Sequence, residues 1–230
     1  LYAQLVTTDE VKAILVTDQA LVGKLHNKFK VSVSPDFKKL LVLVEKPHNK
    51  GKKEAAVFKV FNDQFEELRS KSYLMNAIYS QKRRINVPIV NNKGEVYVLK
   101  RHRIQNQSKY YVIGYNSGGS VSFKEFKLNY KPILDVQYAL DEEGKLIVGG
   151  TFTSPNSLKA EGNYIAKFDV STNMIYRKEY GFRHETMLAF TTEKSLKKTG
   201  LGLYSFKTSS VVIQKENIAL ILEHRESKAN

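Results

Sequence analysis

A recurring unit of about 50 residues is the feature that most constrains how this chain can fold. Phe61, Tyr115 and Phe168 lie 54 and 53 residues apart. Each of them ends a short apolar run and is followed directly by Asn or Asp. These two residue types favour tight turns, because their side chains hydrogen-bond to the backbone two residues further on. The spacing therefore predicts three copies of one structural unit.

The order of signals within each copy predicts four short strands. In the clearest copy, a run at 133–140 precedes a turn at 141–144, an apolar run and a polar loop at 151–162. A second run with apolar alternation follows, then a turn at 169–173 and a last run that ends at Phe182. Short apolar runs separated by turn residues are strand and hairpin signals.

Four short strands within about 50 residues are the size of one blade of a β-propeller. A four-stranded sheet has two apolar faces and cannot bury both alone, so neighbouring copies are expected to stack. We therefore predict an all-β, β-propeller-like fold of four-stranded antiparallel blades with a short helical insertion near residues 184–198. The predicted single domain, 1–230, divides into a part-blade 1–28, blades 29–80, 85–130 and 133–182, a helical insertion 183–200 and a part-blade 203–230. The incomplete units at both ends predict that the sequence belongs to a longer chain.

Three local patterns refine this prediction. The stretch Val11–Leu25 fits either a helix or strands, and the repeated order of strands favours strands. Pro88 cannot donate a ladder hydrogen bond, so we expect a bulge or an unpaired edge there. Met187 and Leu188 lie among polar residues before a glycine stop at Gly200, which predicts the short helix.

Composition and motifs give no sign of an enzyme. Cysteine is absent, which excludes disulfides, thiolate nucleophiles and cysteine zinc sites. The sequence contains no P-loop, no G-x-S-x-G and no H-E-x-x-H. The acidic run Asp141–Glu143 heads a glycine turn, so we interpret it as a solvated hairpin tip rather than a Ca²⁺ or catalytic cluster. Because the five histidines are also scattered, we predict no catalytic residue, no cofactor and no metal site.

The formal net charge of +14, from 37 Lys and Arg against 23 Asp and Glu, attracts anionic partners. When several four-stranded units stack, the loops between their second and third strands all emerge on the same face. In this sequence these loops are 46–54, 100–109 and 151–162. We predict that these loops form a basic rim that binds a protein partner or an anionic glycan or lipid surface. The predicted rim residues are Lys46, His48, Lys50, Lys52, Lys53, Lys100, Arg101, His102, Arg103, Lys109 and Lys159.

One alternative to this rim remains open. The charge could instead serve solubility, spread over turns and loops with no partner. Of the aromatic residues, only Tyr110 and Tyr111 interleave with the rim bases, which argues against a platform for single-stranded nucleic acid. No apolar run approaches the roughly 20 residues needed to cross a bilayer, so the chain is not expected to span a membrane.

Several phrases in the sequence resemble a family of uncharacterised, exported β-propeller-like repeat proteins of Bacteroidetes bacteria. The phrases are Ser34-Pro35-Asp36, Val60-Phe61-Asn62-Asp63, Asn92-Lys93-Gly94-Glu95-Val96-Tyr97, Gly162-Asn163-Tyr164-Ile165-Ala166 and Ile218-Ala219-Leu220-Ile221. The resemblance spans 28–225 and implies export to the periplasm or cell surface, with no activity attached. Leu68-Arg69 departs from it, because a tryptophan is common at that place in the outer strand.

The function expected from the sequence is a non-enzymatic binding or scaffold module of an exported bacterial protein. One alternative is the propeller domain of a carbohydrate-active or other hydrolytic enzyme whose catalytic residues lie outside this stretch. A second alternative is an accessory subunit of an outer-membrane-associated assembly.

Overall fold

A computed structural model describes the chain over residues 2–6, 11–15, 28–45, 54–75, 84–85, 88–104, 107–128, 131–155, 157, 159–194, 197, 206–214 and 217–224. Over these residues the protein is all-β, with almost no helix. The strands are β1 (Tyr2–Val6), β2 (Val11–Leu15), β3 (Lys28–Val33), β4 (Leu40–Glu45), β5 (Glu54–Phe61), β6 (Glu67–Met75), β7 (Arg84–Ile85), β8 (Ile89–Val90), β9 (Val96–Ile104), β10 (Gln107–Tyr115), β11 (Val121–Phe126), β12 (Gln137–Leu140), β13 (Leu146–Phe152), β14 (Gly162–Phe168), β15 (Met174–Gly181), β16 (Phe206–Gln214) and β17 (Asn217–His224). The helix α1 (His184–Leu188) lies between β15 and β16.

The strands form three antiparallel sheets that each follow the chain from one strand to the next. The first sheet has the order β3-β4-β5-β6, and the third has the order β12-β13-β14-β15. In the second sheet, β9, β10 and β11 are joined by two short strands, β7 and β8, which both pair with β9. The N-terminal hairpin (β1–β2) and the C-terminal hairpin (β16–β17) are separate two-stranded sheets. The predicted antiparallel four-stranded units are thus confirmed.

The three aromatic residues that define the sequence repeat occupy equivalent places. Phe61, Tyr115 and Phe168 are the last residues of the third strand in their sheets. Each pairs with the first residue of the second strand, which is Leu40, Val96 or Leu146. The repeat in the sequence therefore corresponds to a repeated register of strand pairing.

Six turns of one kind close the same end of the three sheets, which we call the turn end. They join the first strand to the second at 34–39, 91–95 and 141–145, and the third to the fourth at 62–66, 116–120 and 169–173. In each turn, one residue has a left-handed backbone and donates its N–H to the carbonyl three residues earlier. These left-handed residues are Phe37, Phe65, Gly94, Gly119, Gly144 and Thr172.

Buried side chains join adjacent sheets. Between the first and second sheets, the ring of Phe58 meets that of Tyr115 edge to face, with 4.7 Å between the ring centroids. Between the second and third sheets, Phe126 contacts Tyr164 and Phe168, each at a centroid distance of 5.4 Å. Such aromatic pairs add about 0.5–1.5 kcal/mol beyond the area they bury. The sheets therefore pack on one another, as expected for units that cannot bury both faces alone.

Of the predictions for single elements, one is confirmed and two need correction. The inner strand of the second sheet is interrupted before Ile89, next to Pro88, as expected. The run predicted as a strand over 133–140 forms a strand only from Gln137, with an isolated bridge between Ile133 and Phe152. Helix α1 has only five residues, and Arg183 at its N-cap makes no side-chain capping hydrogen bond. The predicted stop at Gly200 lies outside the described residues.

Candidate functional site at the loop end

The loops of the predicted basic rim leave the sheets at one end, which we call the loop end. Within each sheet, the connection between the second and third strands lies opposite the turns, because neighbouring antiparallel strands reverse direction. These connections follow Glu45 in the first sheet, Ile104 in the second and Phe152 in the third.

Hydrogen bonds between turns hold the turn ends of the three sheets side by side. The N–H of Asp36 in the first sheet donates to Oδ1 of Asn92 in the second, over 3.1 Å. The amide of Asn91 donates to the carbonyl of Gly144 in the third sheet, over 3.0 Å. Because the turn ends are neighbours, the loop ends of the three sheets share the opposite side of the molecule.

Arg69, of the outer strand β6, strengthens this alignment. Its guanidinium lies 5.7 Å from the centroid of the Phe58 ring and donates to the carbonyls of Gly94 and Asn116 in the second sheet. Burial lowers the pKa of this guanidinium from its ordinary value. The arginine thus links the outer strand of one sheet to two turns of the next.

The predicted loop over 100–109 is wrong. Strand β9 continues to Ile104 and β10 begins at Gln107, with Ile104 and Gln107 paired directly. Lys100, His102 and Arg103 are strand residues whose side chains lie outside the described part of the structure. A long hairpin forms because β9 and β10 hydrogen-bond to each other's backbone N–H and C=O groups. This pairing stabilises strands here although the polar composition favours a loop.

Two of the predicted rim residues in this hairpin are described with their side chains. The guanidinium of Arg101 lies 5.9 Å from the ring centroid of Tyr110, its partner across the strands. Nζ of Lys109 lies 3.8 Å from Oε1 of Glu125 on β11. Both residues are half-buried, and both place a cation on the loop half of the second sheet.

The first loop falls outside the described residues, and with it Lys46, His48, Lys50, Lys52 and Lys53. The strands on either side end at Glu45 and begin at Glu54, so the predicted start of the loop agrees with the fold, and its predicted last residue, Glu54, instead begins β5.

Lys159 is not an exposed rim residue. Its exposed fraction is only 4%. The neighbouring Ala160 packs against Met187 of α1 and Phe206 of β16, so this part of the third loop folds inward. The exposed position was predicted wrongly because α1 and β16 pack on this part of the third loop. These contacts come from segments that lie far from the loop in the sequence.

Two further lysines lie at the loop end that the rim prediction omitted. Lys127 and Lys131 belong to the connection from β11 to β12, which leaves the second sheet at this end. Nζ of Lys127 lies 3.0 Å from Glu125, and Nζ of Lys131 lies 2.9 Å from Glu179. The connections between successive sheets emerge beside these loops. A prediction that included the basic residues of the connections would therefore have found Lys127 and Lys131.

The Asp135 carboxylate is buried near the loop end and joins the third sheet to the C-terminal hairpin. It accepts the N–H of Thr151 over 2.8 Å and the N–H of Thr208 over 2.7 Å. Its backbone carbonyl accepts the hydroxyl of Tyr164 over 2.9 Å. Burial raises the pKa of Asp135, although the two backbone donors act against that shift. These contacts hold two sheets together.

The turn end of the third sheet carries a cluster of acids. A groove of about 820 Å³ there is lined by Asp141, Glu142, Glu143, Ile147, Lys167, Ile213, Asn217 and Ile218. Oδ1 of Asp141 accepts the N–H of Lys145 over 2.8 Å, and Oδ2 lies 2.6 Å from Nζ of Lys167. Hydrogen bonding and attraction to Lys145 lower the pKa of Glu143. The acids therefore cap a turn and pair with lysines, in agreement with a hairpin tip.

Over the described ranges, no group of three or more histidines or carboxylates is placed to hold a metal ion. The helical residues in those ranges are too few and too polar to cross a bilayer. A scan against models of protein families finds none that matches this chain, and a search of curated proteins finds no relative.

Proposed function

We propose that the chain is a β-propeller-like, non-enzymatic binding module that docks an anionic partner at its loop end. The observation that carries this proposal is the hydrogen bonding from Asp36 to Asn92 and from Asn91 to Gly144. These bonds align three sheets, so cations that are far apart in sequence come to one side. Export to the periplasm or cell surface belongs to the same proposal, on the strength of the sequence resemblance alone.

The charge distribution between the two ends supports the choice of partner. Arg101, Lys109, Lys127 and Lys131 lie toward the loop end, where Glu125 pairs with Lys109 and Lys127 and Glu179 pairs with Lys131. The Lys-rich stretch 46–53 connects β4 to β5 at that end. The stretches 46–53 and 100–109 together hold eight Lys or Arg residues and no Asp or Glu. An anionic partner is therefore attracted to these stretches, and the attraction weakens as salt screens it.

The direct test compares binding by a variant that has lost two positive charges at the loop end with binding by a variant that has lost two at the turn end. The loop-end variant is Arg101→Gln with Lys109→Gln, and the matched control is Lys38→Gln with Lys93→Gln, two exposed turn-end lysines. Both variants lose two positive charges. Binding is measured at low salt to polyglutamate, to polygalacturonate and to vesicles that contain phosphatidylglycerol, which separates protein-like, glycan and lipid partners.

The loop-end variant is expected to bind the preferred probe about three- to tenfold more weakly, since exposed ion pairs contribute about 0.2–1 kcal/mol each. The control should bind like the unmodified protein. Equal losses in both variants would show attraction by net charge alone, and no binding to any of the three probes would refute an anionic partner.

A further inference from the structure

Four buried side-chain atoms without a hydrogen bond lie where the third sheet meets the C-terminal hairpin. Over the described residues, five buried side-chain nitrogen or oxygen atoms have no hydrogen-bond partner. One is Nε of Arg69, and the other four are the hydroxyls of Thr151, Thr153 and Thr208 and Oδ1 of Asn163. Such atoms are rare in native proteins, because burial takes away their hydrogen bonds to solvent. Their concentration in one place therefore requires an explanation.

Thr151 and Asn163 face the C-terminal hairpin from adjacent strands. They are direct partners in the pairing of β13 with β14, so their side chains share one face of the third sheet. On β13, Gly149 lies two residues before Thr151 and therefore on the same face. A Cβ at Gly149 would meet Val211 and Leu220 of the hairpin. The face that carries both polar side chains is thus the one that the hairpin covers.

Thr208 approaches the same place from β16 of the hairpin. Its N–H donates to one oxygen of the Asp135 carboxylate over 2.7 Å, and the N–H of Thr151 donates to the other over 2.8 Å. Burial raises the pKa of Asp135, and the side chains of both threonines act against that shift, although neither hydroxyl forms a hydrogen bond. Thr151 is 0% exposed and Thr208 is 1% exposed. Two buried hydroxyls from facing strands therefore lie close to one carboxylate.

The hydrogen-bonding capacity of these atoms indicates which ligand they suit. A threonine hydroxyl has a proton to donate, whereas Oδ1 of Asn163 can only accept. A ligand that satisfies both kinds of atom must accept one hydrogen bond and donate another, as water does. A metal cation would leave the hydroxyl protons without an acceptor, and two N–H groups already offset the charge of the Asp135 carboxylate. The set of donors and acceptors therefore fits water better than a cation.

We propose that a buried water molecule binds between the third sheet and the C-terminal hairpin, held by the hydroxyls of Thr151 and Thr208 and by Oδ1 of Asn163. A buried water in a protein typically makes about three hydrogen bonds. The fourth atom, the hydroxyl of Thr153, lies beyond the end of β13 and is not assigned to this site. Because its partners come from both sides of the junction, the water joins the hairpin to the sheet beside Asp135. The site does not depend on an anionic partner at the loop end.

Thr151→Val tests the site by the sign of its effect, because valine has nearly the same shape but no hydroxyl. If water is bound, the substitution removes one partner of the water and weakens its bond to Asn163, so the melting temperature should fall by about 3–6 °C. If the site is dry, the substitution removes a buried hydroxyl that has no partner, and the melting temperature should rise. A rise would overturn the proposal. Thr186→Val, at an exposed position of α1, is the matched control and should change the melting temperature by less than about 2 °C.

A high-resolution crystal structure distinguishes water from direct bonds between the hydroxyls and Asp135, which would also make Thr151→Val destabilising. In the unmodified protein, we expect a density peak about 2.6–3.2 Å from Oγ1 of Thr151 and from at least one of Oγ1 of Thr208 and Oδ1 of Asn163. The peak should be absent from Thr151→Val with Thr208→Val. No peak in the unmodified protein would refute the bound water, and a peak that persists in the double variant would refute the role of the threonines. The unmodified protein decides the first point even if the double variant does not fold.

Melting of the unmodified protein in different salts separates water from a cation. Sodium or potassium chloride replaces tetramethylammonium chloride in steps at constant ionic strength, because tetramethylammonium is too large for a site the size of a water molecule. A water site predicts a melting temperature that does not depend on this replacement. A bound ion would stabilise the folded state by mass action. A melting temperature that rose along a saturating curve with sodium or potassium would therefore identify a cation and overturn the assignment of water.

Discussion

The carboxylate of Asp135 accepts the backbone N–H of Thr208 over 2.7 Å, although the two residues are 73 positions apart in the chain. The other oxygen of the same carboxylate accepts the N–H of Thr151, so one buried side chain fixes two sheets to each other. A carboxylate suits this place because it has acceptor sites on both oxygens.

Replacing Asp135 by Ala should destabilise the protein by about 2–4 kcal/mol, because two buried N–H groups would lose their acceptor at a cost of about 1–3 kcal/mol each. Denaturant unfolding measures the loss. Asp63→Ala, at an exposed turn position, serves as the control and should change stability by less than about 0.5 kcal/mol. Equal effects of the two substitutions would contradict the role given to Asp135.

The stability difference between the unmodified protein and Asp135→Asn should depend on pH. Burial raises the pKa of Asp135 above its ordinary 3.8, so folding favours the protonated form. This contribution is fully present below pH 3.8 and is lost as the pH rises through the raised pKa. The unmodified protein should therefore gain stability relative to Asp135→Asn as the pH falls through this window. Unfolding midpoints of both proteins at several pH values measure the trend, and a relative loss on acidification would reverse the predicted sign.

Gly114 should not tolerate a side chain. A Cβ at this position would overlap the backbone carbonyl of Val170, which belongs to a turn of the next sheet. We expect Gly114→Ala to cost about 2–4 kcal/mol in unfolding free energy, as overpacking against backbone cannot relax easily. Gly181→Ala is the matched control, because nothing lies within 4 Å of its Cβ position. A change of less than about 1 kcal/mol in Gly114→Ala would show that the sheets are farther apart than described.

Phe37 occupies a left-handed turn position, with φ of 59° and an exposed fraction of 82%. A non-glycine residue in this conformation destabilises the folded state by about 1–2 kcal/mol. Because the Phe37 ring is exposed, removing it loses little buried apolar area. Phe37→Gly should thus raise stability by about 0.5–1 kcal/mol and increase the melting temperature. The reverse change at the equivalent position, Gly94→Ala with φ of 77°, should lower it. A melting temperature that fell in Phe37→Gly would contradict the shared turn geometry.

The turns and the repeat could be predicted from the sequence because their causes are local. Asn62, Asn116 and Asp169 follow the repeated aromatics, and each accepts a backbone N–H within its own turn. Phe65 and Thr172 have a left-handed backbone although neither is a glycine, so the sequence does not indicate this conformation. The other hydrogen bonds of each turn hold it in place. The sequence therefore predicts where the turns are, but not all of their conformations.

The candidate site was harder to predict because distant segments shape it. Lys159 looks like a loop cation in the sequence, yet α1 and β16 fold over its neighbour Ala160. The polar run at 100–109 is held in a hairpin by pairing across β9 and β10. Asp135 carried no signal, because its partners come from β13 and β16. The position of Arg101 and Lys109 toward the loop end could be predicted, because it follows from the order of the strands alone.

The most direct test of the account is to map backbone amide shifts by NMR while the ¹⁵N-labelled protein is titrated with polyglutamate at low salt. We predict shifts concentrated in 100–109 and 127–131, with little change in the turn residues 91–94 and 141–144. Shifts that concentrate in those turns, or that spread evenly over both ends of the sheets, would contradict an anionic docking surface at the loop end.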